Sequence, residues 1–133
     1  MTHLKAQMRD CLDACIQSLG EYCDALDSSS AERKEQIAEY YRFSQRLTAS
    51  LCSLDALSAR LAKQIQAADS QNDYARVQEL SSLFEASISA RVAAEEFLVS
   101  AEITVKAQDD GRRNMENSAN ILIKKLFLIK SSI

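Results

Sequence analysis

Few residues in this chain could do chemistry. In 133 residues there are four cysteines (Cys11, Cys15, Cys23 and Cys52), one histidine (His3) and a tight run of carboxylates at Glu95, Glu96 and Glu102. Cysteines can pair, hold a metal or attack as thiolates. Cys11 and Cys15 lie one helical turn apart with side chains running roughly parallel, a poor geometry for a strain-free disulfide. The four also lack the paired nine-residue gaps of twin-cysteine helical hairpins. They do not match zinc-ligand spacing, and no well-placed histidine completes a set. They are expected to be reduced, mostly buried, and to behave as small apolar residues. The three glutamates could line a di-metal site in a bundle, but no ExxH accompanies them. HExxH, GxSxG and a glycine-rich phosphate loop are all absent. The expectation is a non-enzymatic protein with no catalytic residue, no metal site and no cofactor.

The elements that would position these residues are helices. The chain has no proline and only two glycines, Gly20 and Gly111. A β-rich or α/β chain of this length needs many tight turns, which draw on both residues. Few reversals plus long helix-tolerant runs give a few long helices. The first is expected from Leu4 to about Leu26, with Leu12, Ile16, Leu19, Cys23 and Leu26 on one face and Met8, Cys11, Cys15 and Tyr22 beside it. Gly20 marks a bend or a close approach. Ser29 with Glu32 has the capping-box pattern, so a second helix starts near Ser30.

That second helix carries the strongest periodicity. One heptad series reads Ile37, Ser44, Leu51, Ser58, Ile65, and its companion reads Tyr40, Leu47, Leu54, Leu61, Ala68. Five heptads of agreement predict a coiled coil or a long bundle helix. From Ser30 to Ser70 it would span roughly 60 Å at 1.5 Å per residue. A helix of that length outreaches the first, so Ile37, Tyr40, Leu47, Leu51, Leu54, Leu61 and Ile65 are expected to form a self-association seam, giving a homodimer. Tyr40, Tyr41 and Phe43 are either core anchors or a binding hot spot.

The polar stretch Asp69-Ser70-Gln71-Asn72-Asp73 is read as a tight hairpin, with Ser70 or Asp73 capping the next helix. In the third helix Val77, Leu80, Phe84, Ile88, Val92, Val99 and Ile103 form the apolar series. Its eleven-residue spacings predict a straighter or slightly right-handed course. Asp109-Asp110-Gly111 breaks the chain again. Met115, Ala119, Leu122, Leu126, Ile129 and Ile133 then resume a helical stripe, with Ile121, Ile123, Phe127 and Leu128 outside it. The fold class expected is all-α: one helical domain over residues 1–133, an elongated antiparallel bundle or coiled-coil hairpin of three long helices plus a C-terminal amphipathic helix, with spans of about 4–27, 30–70, 73–108 and 112–130.

Charge divides the chain. Residues 1–110 hold 11 Lys/Arg against 18 Asp/Glu, whereas residues 111–133 hold 5 against 1. An acidic body argues against nucleic-acid binding. No opening apolar stretch suggests a leader, and no run approaches the length of a membrane span, so a soluble, cytoplasmic protein is expected. The basic, apolar tail is the partner-binding candidate: Arg112, Arg113, Met115, Ile121, Leu122, Lys124, Lys125, Leu126, Phe127, Ile129 and Lys130. Its chemistry suits docking into a protein groove or lying on an anionic membrane surface. The alternative is a last bundle helix covered by its own chain or by a second copy.

Two resemblances rest on short segments. The order of a shorter helix, two long helices and a C-terminal amphipathic helix, with Asn114 and Asn117 ahead of Ile121-Leu122, resembles the export chaperones of flagellar and type III secretion systems. That resemblance implies a small helical protein whose C-terminal helix contacts a client. Ser18-Leu19-Gly20-Glu21 followed by Ile37-Ala38-Glu39-Tyr40-Tyr41-Arg42 resembles the opening helices of membrane-curving BAR domains, although this chain is shorter and its body lacks their basic concave face. The functional expectation is therefore a protein-protein interaction module, adaptor or export-chaperone-like, acting by helix packing. The alternatives are a peripheral membrane-surface protein and a structural coiled-coil assembly component.

Overall fold

The computed structural model describes residues 2–28, 33–106 and 112–133, which fold into four helices: α1 (Thr2–Ser28), α2 (Arg33–Ser70), α3 (Tyr74–Lys106) and α4 (Arg112–Ser132). The fold is all-α, as expected. The proposed capping box at Ser29 and Glu32 and the break at Asp109-Asp110-Gly111 lie outside the described residues.

The reversal between α2 and α3 is made without glycine or proline. Asp73 N–H donates to the Ala68 carbonyl (3.0 Å) and Asn72 N–H to the Asp69 carbonyl (3.0 Å), while Asn72 takes φ 58°. This is the Schellman ending of a helix, with asparagine in the left-handed position that glycine usually fills. Asp73 then opens α3, its Oδ1 accepting from Arg76 N–H at 3.2 Å. The expected hairpin forms, and Asp73 is its cap.

The four helices close into a ring. α2 packs on α1 and α3, and α4 bridges α1 and α3 on the other side. Neighbours run antiparallel: Arg46 reaches back to Glu21 (3.1 Å), and Ser58 lies against Ser87. The α2 column of Tyr40, Leu47, Leu54, Leu61 and Ala68 is buried throughout, with Phe43, Leu51 and Leu57 buried beside it. A face this broad serves two neighbours at once. Phe43 stacks on Tyr22 of α1 at 4.4 Å between centroids and meets Phe97 of α3 edge-on at 6.0 Å. Tyr40 and Phe43 are thus core anchors, while Tyr41 is exposed.

The seam expected to join two copies is therefore consumed within the chain. Tyr40, Leu47, Leu51, Leu54 and Leu61 are buried, and Ile37 and Ile65 are half-buried against the same core. The length that α1 leaves uncovered is covered by α3, so this seam is not open to a second copy.

Of the two seam serines, Ser58 has a specific partner. Its hydroxyl donates to Ser87 Oγ (2.7 Å), which donates on to the Phe84 carbonyl (2.6 Å). Ser87 is fully buried, so this chain satisfies polar groups that would otherwise be costly there, and it ties the register of α2 to α3. Ser44 bonds only locally, to the Tyr41 carbonyl. Gly20 has no neighbour within 4 Å of where a Cβ would sit, so it serves neither a close approach nor a left-handed turn.

Candidate functional site: an apolar face on α3 and α4

The buried face of α3 is Leu80, Leu83, Ser87, Ala90, Ala94, Phe97, Ala101 and Val105. The series read from the sequence is mostly elsewhere. Leu80 is buried and Val77 and Phe84 are half-buried, but Ile88, Val92, Val99 and Ile103 are exposed, the last two by 62% and 67%. Charge explains the choice. Glu85 and Glu96 fall on the same side of the helix as Val92, Val99 and Ile103, at helical spacing. Turning that side inward would bury both carboxylates, at several kcal/mol for each unpaired charge. From Leu80 to Val105 the opposite side carries no charge, and its alanines leave room for the Phe43–Phe97 pair.

α4 divides in the same way. Met115, Leu122 and Leu126 from the predicted partner-binding set are buried, with Ala119 between them, and Ile129 is half-buried. These build the core. The helix is fastened to α1 by Lys130 Nζ on Asp13 (2.6 Å), by Arg9 donating to the Ile133 carbonyl (3.2 Å) and by the Tyr22 hydroxyl on Met115 Sδ (2.9 Å). Ile121, Lys124, Lys125, Phe127 and Leu128 are exposed, Ile121 by 55% and Leu128 by 71%. Lys130 also sits over the Phe127 ring at 5.6 Å, on the α1 side. The side chains of Arg112 and Arg113 lie outside the described residues.

The two exposed stripes adjoin. Val92, Glu95, Glu96, Val99, Ser100 and Ile103 line a shallow depression along α3. Glu96 and Ser100 also line the groove where α3 meets Ile121, Leu122 and Lys125 of α4. Val92, Val99 and Ile103 thus flank a groove whose own lining mixes Phe97, Ile121 and Leu122 with Glu96, Ser100, Ser118 and Lys125, acidic on the α3 side and basic on the α4 side. Scattered exposed apolar residues are ordinary, but apolar residues gathered beside a groove with a charged rim make a candidate interaction surface.

The other candidate residues do not assemble a reactive centre. Glu95 is held by Arg91 (3.0 Å) and Glu102 by Lys106 (3.2 Å), all on the exterior. Among the described residues no group of three or more His, Cys, Asp or Glu is placed to hold a metal ion. His3 is exposed, 3.2 Å from the Gln7 amide. None of the four cysteines is in a disulfide; Cys15 and Cys23 are buried, Cys11 is half-buried and Cys52 is exposed. Burial pushes the Cys15 thiol up to about 11 and raises that of Cys11, which disfavours the reactive thiolate. Burial likewise raises the Tyr22 and Tyr40 phenols, and Tyr40 donates to the Leu98 carbonyl.

Of the α4 residues named from the sequence, Ile121, Lys124, Lys125 and Phe127 are exposed, whereas the exposure of Ile88, Val92, Val99 and Ile103 on α3 was missed. The usable signal was the uncharged heptad of small residues from Ser87 to Ala101, which marks an inward face more reliably than side-chain size. Among the described residues, no helix is long and apolar enough to cross a membrane. No protein family, curated protein or solved structure matches the chain.

Proposed function

We propose that this chain is a non-enzymatic protein-interaction module that docks a helix of its partner along the α3–α4 face. One observation carries the reading: Val92, Val99 and Ile103 of α3 and Ile121 and Leu128 of α4 are all exposed on one helical-bundle surface. A groove between two helices accepts an amphipathic helix through anchors spaced by three, four and seven residues. The acidic rim at Glu85, Glu95 and Glu96 suits a partner whose apolar stripe is flanked by Lys or Arg. An adaptor or an export chaperone would both work in this way.

Removing residues 112–133 is not a clean test, because Met115, Ala119, Leu122 and Leu126 belong to the core. The clean test is Val99→Asp with Ile103→Asp, both on the exterior. Capture of the partner from the native cell is expected to be lost while circular dichroism stays that of the wild type. Unchanged capture by this variant sinks the proposal.

A membrane-surface reading draws on the exposure of Lys124 and Lys125 beside Ile121 and Leu128. Anionic vesicles decide it, since salt-sensitive binding is required. The carboxylates at Glu95 and Glu96 on the same surface favour the protein partner.

A further inference from the structure

The α3–α4 face is complementary to itself, and we propose that its occupant is a second copy of this chain. The inference rests on reading that face as a docking surface. Packing α3 on α3 would set Glu95 and Glu96 against the same pair, a like-charge contact. The segment that complements the acidic stripe is the outward side of α4, where Lys124 and Lys125 stand between Ile121 and Leu128. Glu96 and Lys125 border the same groove of one chain, yet no ion pair joins them there. Among the described residues, Glu96, Lys124 and Lys125 have no ion-pair partner, which leaves their charge for an incoming surface.

Symmetry supplies the geometry. Glu96 and Lys125 line the same groove, at the same height along the bundle. A twofold axis running along that groove lays α3 of each copy over α4 of the other, without shifting either along its length. Glu96 of one copy then meets Lys125 of the other, twice, and Val92 and Val99 approach Leu128 and Ile121. The contact is isologous and closed, so it stops at two copies.

Its size places it among the small, transient interfaces. The stretch from Ile88 to Ile103 spans about 24 Å at 1.5 Å per residue, and two packed helices make a face about 20 Å wide. Roughly 500 Å² a side falls below the standard interface of about 800 Å² per partner. A weak, reversible dimer is expected, with the quality of the contacts and not their area deciding the Kd.

Sedimentation velocity across a concentration series tests this with charge reversal in two variants. One carries Glu95→Lys with Glu96→Lys; the other carries Lys124→Glu with Lys125→Glu. The wild type should pass from monomer to dimer, and each variant alone should dimerise at least about tenfold more weakly, since every reversed pair occurs twice. An equimolar mixture of the two should recover dimers made of one chain of each. Compensation inside a single chain cannot produce that recovery. A wild type that stays monomeric to about 0.2 mM, a concentration at which even a weak specific interface is populated, overturns the proposal. So does a dimer indifferent to both reversals, or a mixture that recovers nothing. These outcomes are separable from failure of the docking reading. A monomeric wild type whose partner capture is lost on Val99→Asp with Ile103→Asp removes the dimer and keeps the docking face. A charge-sensitive dimer whose partner capture ignores those substitutions keeps the dimer and removes the partner.

Discussion

α3 has two apolar sides, and they behave oppositely. The inner side is made of small residues, Ser87, Ala90, Ala94 and Ala101, spaced between Leu80, Leu83, Phe97 and Val105, and all are buried. The outer side has the bulkier β-branched residues Ile88, Val92, Val99 and Ile103, and all are exposed. Hydrophobic size therefore does not say which side of a helix faces the core. Charge and shape do, because a buried carboxylate costs more than an exposed valine loses.

The contrast can be broken by substitution. The largest effect is expected from Leu83→Ala, an inner residue 2% exposed, at about 2–5 kcal/mol of stability by chemical denaturation. Next is Ala94→Leu, which adds volume where α3 has none to spare and should cost about 1–3 kcal/mol. Were α3 to tolerate Ala94→Leu without loss, the small-residue side would not be the packed one. The outer side makes the opposite prediction. Val99→Asp with Ile103→Asp should leave the denaturation midpoint almost unchanged, within about 0.5 kcal/mol for each surface change.

Thiol chemistry sharpens the same division on other helices. Cys52 points outward and should react with a water-soluble disulfide reagent at pH 8 as an exposed thiol does. Cys15, held protonated by burial with its thiol at about 11, should react only when the protein unfolds. The linkage has a definite sign. An unfolded Cys15 ionises near 9.0 while the folded one does not until about 11, so its contribution to stability is intact below pH 9 and is lost as pH rises toward 11. Urea midpoints at pH 7 and 10.5 read this directly, and Cys15→Val should flatten part of the fall. A modest gain is expected at Gly20, where a methyl meets nothing within 4 Å. Gly20→Ala should stabilise α1 by about 0.5–1 kcal/mol, since glycine loses more freedom on entering a helix.

The sequence was legible where a residue's role depends on its near neighbours along the chain. The absence of proline and the scarcity of glycine required long helices, the polar run from Asp69 to Asp73 announced the reversal, and the Tyr40-to-Ala68 heptads identified the buried column of α2. It was not legible where two helices compete to cover one stripe. That α3 rather than a second copy covers the far end of α2 depends on how the chain folds back, and no local pattern states it. The Tyr22–Phe43–Phe97 cluster and the Ser58–Ser87 hydrogen bond join residues remote in sequence.

By itself, then, the sequence determined the helices, their approximate ends and the acidic-to-basic division of charge, because hydrogen bonding, capping and periodicity act over a few residues. Only the tertiary structure decided which apolar residues are spent on the core and which remain for a partner. Leu122 and Ile121 are adjacent in α4, one 3% exposed and the other 55%. What separates them is the position of α3 and α1 around that helix, a matter of packing geometry that the order of residues does not carry.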